Sequence, residues 1–255
     1  MGKKNKFDAS RLVVAIGGKG EPAVFVHGLA SNKLIWRRVC HGLKDVFSCY
    51  AIDLPGSGDS PAPRHFQFTI ENFADVLTDF IVLKDLKRLT LVGSSLGAAI
   101  ILVALLRNRD ELAPRVRALC LIDAIAYPQD FPFIVEILRT PILAPIALRF
   151  FAQTPRRTVG EALIRTARLL NVKKLNRDAR RLDAIPFPTL VIWGRKDSVV
   201  SLSFGKRLAR HLPNARLVII NNCGHSPHME CPDKVVSALK EFAHETTTSH
   251  YLATL

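Results

Sequence analysis

Gly93-Ser94-Ser95-Leu96-Gly97 stands between two apolar runs, Leu89 to Val92 before it and Ala98 to Leu106 after it. That order predicts a strand, a sharp turn and a helix, and the G-x-S-x-G spacing puts Ser95 at the apex. Gly93 and Gly97 carry no side chain where the arriving strand and departing helix approach one another, so the turn can hold one serine exposed and strained. A serine so placed can attack an acyl carbon. Its hydroxyl is a poor nucleophile at neutral pH unless an imidazole takes the proton and later passes it to the leaving group. A carboxylate on the second ring nitrogen fixes the tautomer, and preorganised N–H donors must meet the oxyanion. The pentapeptide also fits an ordinary strand-to-helix turn, and Ser94 fits only as a neighbour. The other parts of the chemistry must therefore come from elsewhere in the chain.

Such a turn needs a sheet to hold it. Leu12 to Ile16 and Pro22 to Val26 read as short strands joined as a hairpin through Gly17-Gly18-Lys19-Gly20. The second of these runs into His27-Gly28-Leu29. Lys33 to Leu43 has one apolar stripe and reads as a helix, and Cys49 to Ile52 is a strand ending in the loop Asp53 to Ser60. Ile70 to Leu83 reads as an amphipathic helix, Gly97 to Arg107 as a buried one, and Ala118 to Ile125 as a further strand. Thr189 to Trp193 and Arg216 to Ile220 are late strands separated by a helix from Ser201 to His211, and Asp233 to Ala243 is a last helix before a frayed Thr-rich tail. Alternating strands and helices predict an α/β domain with a mostly parallel central sheet flanked by helices, its sites at the carboxyl ends of strands. Between Tyr127 and Pro186 the alternation stops and prolines punctuate helical text. This divides the chain into a core, 1–126 and 187–255, and an inserted helical cap, 127–186. The cap holds eleven Lys/Arg against five acids, so much of the charge excess sits there. Its aromatics Phe131, Phe133, Phe150 and Phe151 are candidates either for its own core or for a pocket on its underside.

Five short motifs then stand in order: His27-Gly28, Asp53-x-x-Gly56-x-Gly58, the G-x-S-x-G stretch, Trp193-Gly194-x-x-Asp197 and Gly224-His225. In that order the chain resembles a cap-bearing α/β-hydrolase over nearly its whole length. The resemblance implies Ser95 as nucleophile, Asp197 as acid, His225 as base, and the backbone N–H groups of Leu29 and Leu96 as the oxyanion hole. Asp123, at the end of its own strand, stands where some hydrolases place their acid, and His228 competes with His225, which alone follows a glycine. His27 reads as a brace for the oxyanion loop and Asp53 as a tie within its own loop. Relatives with W-G-x-x-D and G-H-x-P-H-x-E include esterases, lactonases and carbon–carbon bond hydrolases. The expected activity is a serine hydrolase cleaving a small or medium carboxylic ester or lactone, apolar in its acyl part, through an acyl-enzyme. The alternatives are a meta-cleavage-product type carbon–carbon hydrolase acting on an anionic substrate, or a small-molecule receptor on the same fold. Serine at position 95 argues against dehalogenase or epoxide hydrolase action, for which the resemblance calls for Asp. No cofactor or metal is called for.

Composition narrows the setting. With 255 residues, 48% of them hydrophobic, the chain can bury a sizeable core. A formal charge of +14 is read as a solvated basic surface rather than a nucleic-acid site, with docking on an anionic membrane surface as the lesser reading. No Gly-rich phosphate loop is present. Met1 to Lys6 is basic but leads into no apolar run of signal length, and no run reaches the eighteen residues of a membrane span, so a cytoplasmic protein is expected. Cys40, Cys49, Cys120, Cys223 and Cys231 are odd in number and scattered, which suggests neither a disulfide framework nor a zinc site. Oligomeric state is left unassigned.

Overall fold

Seven strands form one sheet in the computed structural model, which describes residues 7–128, 140, 157–169 and 181–253. They are β1 (Val14–Gly17), β2 (Glu21–Val26), β3 (Phe47–Ile52), β4 (Leu89–Ser94), β5 (Val116–Ile122), β6 (Thr189–Gly194) and β7 (Ala215–Ile220). The spatial order is β1-β3-β2-β4-β5-β6-β7; β1 is antiparallel to β3 and every other pair is parallel. Parallel neighbours require crossover connections, and helices supply them. In chain order the α-helices among the described residues are α1 (Arg37–Gly42), α2 (Ile70–Leu83), α3 (Leu96–Arg107), α4 (Arg109–Leu112), α5 (Arg157–Leu169), α6 (Leu202–His211), α7 (Pro227–Glu230) and α8 (Pro232–Ala253), the last two following β7.

Strand alternation divides the core into two layers. Val24, Val26, Leu91, Leu119 and Leu121 point to one face, where Phe73, Leu77 and Phe80 of α2, the apolar residues of α3 and Leu208 of α6 pack on them. Ala23, Phe25, Val92, Cys120 and Ile122 point to the other, against Val39 of α1 and Val235, Leu239 and Phe242 of α8. α3 is buried on all sides from Leu96 to Leu106, which explains its lack of a polar stripe. At about 1.5–3 kcal/mol for each fully buried large apolar side chain, α3 is held by the sheet rather than by its own propensity. Among the described residues no helix is long and apolar enough to cross a membrane.

Three expectations need correction. β1 and β2 do not form a hairpin: β3 lies between them, pairing antiparallel with β1 and parallel with β2. Gly18 and Gly20 adopt φ of 88° and 113°, and the turn packs on the 44–47 segment, with Lys19 N donating to the Lys44 carbonyl at 2.8 Å. Glycines that permit positive φ mark a turn but do not say which strand fills the space beside it.

The C-terminal tail is not frayed from residue 245, because α8 runs on to Ala253. Thr246 and Thr247 bond back to the Phe242 and Ala243 carbonyls, and Arg117 of β5 donates to Ala243 O, Thr246 Oγ1 and Thr247 Oγ1. Finally, Cys223 and Cys231 are joined as a disulfide, while Cys40, Cys49 and Cys120 are free thiols.

Of the expected cap, the structure describes α5 and a 3-10 turn at Leu182–Ala184. Phe131, Phe133, Phe150 and Phe151 lie outside the described residues, as do most of the cap cations. α5 packs on the 56–68 loop: Ala162 meets Gly56, and Arg165 stacks on Phe68 at 4.5 Å. The Arg165 guanidinium also donates to the carbonyls of Pro63, Arg64 and Phe66. This cation is committed to holding α5 on that loop.

Candidate active site

Ser95 sits between β4 and α3 with φ 52° and ψ −114°, a backbone state that side chains rarely adopt. Its own amide donates to the Ile122 carbonyl at 2.9 Å, which anchors the turn to β5. The glycines on either side permit the bend. A Cβ at Gly93 would come within 2.7 Å of the amide of Ala98, and one at Gly97 would run into the Val26 carbonyl. Ser95 is thereby 8% exposed, with its hydroxyl presented at the carboxyl edge of the sheet.

The loops after β6 and β7 are locked together. Arg195 N donates to Ile220 O at 3.0 Å and Lys196 N to Cys223 O at 2.8 Å, and Gly194 abuts Gly224 too closely for any side chain. This brings Asp197 to His225. His225 Nδ1 lies 2.9 Å from Asp197 Oδ2, and His225 Nε2 lies 3.1 Å from Ser95 Oγ. Asp197 Oδ2 accepts at Nδ1, so the imidazole carries its proton there and offers the Nε2 lone pair to the serine. The other carboxylate oxygen, Oδ1, accepts from Val199 N at 2.8 Å and Val200 N at 2.9 Å. The Asp197 side chain is wholly buried, whereas that of His225 is 22% exposed.

The His225 loop is clipped twice. The Cys223–Cys231 disulfide closes it, and the Glu230 carboxylate accepts from Gly224 N at 2.6 Å and Ser226 N at 3.0 Å. Sequence reasoning singled out neither clip. The signal for the second was the Glu five residues after His225; two cysteines flanking one short loop were the signal for the first.

Leu96 is the first residue of α3, so its N–H has no acceptor within the helix. Leu29 follows Gly28, whose missing side chain would lie 3.2 Å from Ser95 Cβ and 3.8 Å from its Oγ. The backbone of Gly28 thus lies beside the Ser95 side chain. His27 is buried; its Nε2 accepts from Leu54 N at 3.1 Å, so Nδ1 is the protonated nitrogen and donates to Gly28 O at 2.8 Å. Burial pushes its pKa down, which keeps it neutral in this bracing role. Asp53 is fully buried and accepts from Lys33 N, Lys33 Nζ and Asp59 N, tying the 53–60 loop to the segment after Leu29.

His228 stays outside this chain of hydrogen bonds, and Asp123 stands beside it, against Asp197. His228 lies against Trp36, ring centroids 4.6 Å apart, and burial followed by the nearby His225 pushes its pKa down to about 3. Asp123 is fully buried near Asp197 and His225: Oδ1 accepts from Gly194 N at 2.9 Å, and Oδ2 has no hydrogen-bond partner. Burial pushes its carboxyl up to about 9, and the Asp197 and Glu230 carboxylates add to the effect. Asp123, Asp197 and His225 each place an acceptor atom within 4.8 Å of the others. They are not ligands for an ion, since His225 Nδ1 and Asp197 Oδ2 are spent on one another.

Residues 23–238 match the family model described as Alpha/beta hydrolase family. The chain belongs to the alpha/beta hydrolase family. Its relatives include a pimeloyl-[acyl-carrier protein] methyl ester esterase from Neisseria meningitidis, 28% identical over 246 residues, which cover 85% of this chain and 91% of that protein. Among solved structures it resembles a thermophilic esterase from Thermogutta terrifontis, with TM-score 0.74, 23% identity, and coverage of 92% and 93% of the two chains. A meta-cleavage product hydrolase from Pseudomonas fluorescens superposes with TM-score 0.76 at 20% identity, covering 92% and 94%. The family match, together with the esterase relative, makes this chain a hydrolase.

Proposed function

We propose that this alpha/beta hydrolase is a serine hydrolase that cleaves a small or medium carboxylic ester or lactone, apolar in its acyl part, through an acyl-enzyme on Ser95. One observation carries the reading: Ser95 Oγ, on its strained turn, lies 3.1 Å from His225 Nε2, while His225 Nδ1 lies 2.9 Å from the buried Asp197. In the proposed cycle Ser95 Oγ attacks the acyl carbon as His225 Nε2 takes its proton. The Leu29 and Leu96 N–H groups receive the oxyanion, and Asp197 steadies the imidazolium. The proton then passes to the departing alkoxide, which leaves as the alcohol. Water, activated by the same imidazole, attacks the acyl carbon, and Ser95 recovers its proton as the acid departs.

The methyl ester named for the Neisseria relative supports an ester rather than an amide as the scissile group. The test is turnover across p-nitrophenyl esters of two to twelve acyl carbons, a lactone set and a dienone acid. A maximum at short or medium esters or lactones supports the reading. Turnover of the dienone acid alone would move the activity to carbon–carbon bond cleavage, and turnover of none would favour a binding role.

A further inference from the structure

Two buried carboxyl groups stand behind His225, although the hydrolytic cycle calls for one. Asp197 has three donors: Val199 N–H, Val200 N–H and His225 Nδ1–H. Asp123 has one, Gly194 N–H at Oδ1, and its Oδ2 is buried without a partner. Both groups lie within 4.8 Å of each other and of the imidazole. Two buried carboxyl groups this close favour holding one proton between them at neutral pH, and the negative charge settles on the one with more hydrogen-bond donors. Three donors against one place it on Asp197. The fold holds Asp123 there: its amide donates to Ile192 O at 3.0 Å, and its backbone stands at φ 44°, an unusual state for a residue that is not glycine.

We propose that Asp123 is a positioning residue of the triad, which carries a proton on Oδ2, shares it with Asp197 and so keeps a single negative charge behind His225. The proposal rests on the serine-hydrolase reading above. The groups facing Asp123 are Asp197 and His225 from the loops after β6 and β7, and Glu230 from α7. Both acidic neighbours raise its proton affinity, in the same direction as burial, which takes it to about 9. Above that pH the proton leaves. A second negative charge then repels Asp197 and strengthens the hold on the imidazolium, so the base releases its proton to the leaving group less readily.

The test is the pH profile of kcat/KM from 5.5 to 10.5 for the wild type, Asp123→Asn and Asp123→Ala, with Asp197→Asn in parallel and folding checked by circular dichroism. An amide at 123 keeps an oxygen for Gly194 N–H and a donor for Asp197, but has no proton to lose. We expect Asp123→Ala to lose tenfold or more at pH 7.5, and Asp123→Asn to recover to within about threefold of wild type. The wild type should fall about tenfold one pH unit above the titration of Asp123, a decline that Asp123→Asn lacks. The acid limb should agree in the two to within about 0.3 unit. If Asp123→Asn moves the acid limb down by a unit or more, Asp123 is ionised at neutral pH and the proposal is overturned. An unchanged alkaline decline in Asp123→Asn overturns it too. Should Asp197→Asn stay active while Asp123→Asn is dead, it is the triad assignment that fails. Failure of Asp123→Ala to fold leaves the asparagine profile to decide.

Discussion

Replacing Asp197 by Asn should abolish most turnover by trapping His225 in the wrong tautomer. The carboxylate accepts three hydrogen bonds, Val199 N and Val200 N at Oδ1 and His225 Nδ1 at Oδ2, and an amide cannot satisfy all three. With its oxygen toward the two backbone N–H groups, its NH2 faces His225. The imidazole must then accept at Nδ1 and carry its proton on Nε2, which leaves Ser95 without a base. The flipped amide restores the base but points its NH2 at two backbone donors, leaving both unpaired at about 1–3 kcal/mol each. The productive arrangement is therefore disfavoured by about 2–6 kcal/mol, a factor of roughly 30 to 2 × 10⁴ at about 1.4 kcal/mol per decade. The upper end matches the loss of about 10⁴ in kcat known for the same swap in a trypsin-type triad. The assay is kcat and kcat/KM on a short p-nitrophenyl ester, beside a thermal melt showing that the variant folds. A loss below tenfold would refute the reasoning, because it would mean that His225 keeps its tautomer without the carboxylate.

Other expectations concern the surroundings of the triad. His228 is buried with its pKa lowered to about 3, while in the unfolded chain a histidine titrates near about 6.5. Below that value the unfolded state binds a proton that the folded state refuses, so stability is lost as pH falls from about 6.5 toward 3, at up to about 1.4 kcal/mol per pH unit. Urea midpoints at pH 7, 6 and 5 should drop less steeply in His228→Phe, and parallel slopes would show that another group drives acid unfolding. Reducing the Cys223–Cys231 disulfide, which spans eight positions, should cost about 2.5 kcal/mol by loop entropy. It should also lower kcat several-fold, with Glu230 still holding the His225 loop. Cys231→Ser should reproduce both effects without reductant, and indifference to reductant would mean that the disulfide does not hold this loop. Arg165→Ala removes a guanidinium that grips three carbonyls and Phe68, and should destabilise by about 2 kcal/mol in chemical denaturation. A wild-type midpoint would show that α5 is held to the core by other contacts.

The turn around Ser95 was legible because the backbone bend demands particular residue types: a glycine on each side, an apolar strand before and an apolar helix after. The order of the sheet was less so. Glycines at 17, 18 and 20 announce a turn equally well whether the flanking strands pair or admit β3 between them. The length of α8 was missed because a run of Thr-Thr-Thr has weak helix propensity, and Arg117, which binds two of those hydroxyls, is distant in sequence. The disulfide escaped notice because five scattered cysteines give no framework, although two of them bracket the His225 loop. Asp123 was visible as an acid at a strand end. Its lone donor is the amide of Gly194, which nothing in the sequence around position 123 reveals. The break in strand–helix alternation after Tyr127 was legible, and Phe131, Phe133, Phe150 and Phe151 lie outside the described residues.

The central claim is that Ser95 is the nucleophile and that His225 activates it. A fluorophosphonate incubated with the intact protein, followed by peptide mapping, tests it directly. The label should fall on Ser95, vanish in Ser95→Ala while that variant melts within a few degrees of wild type, and form far more slowly in His225→Ala. Label on Ser94 or Ser57, or undiminished labelling in Ser95→Ala, would contradict the account.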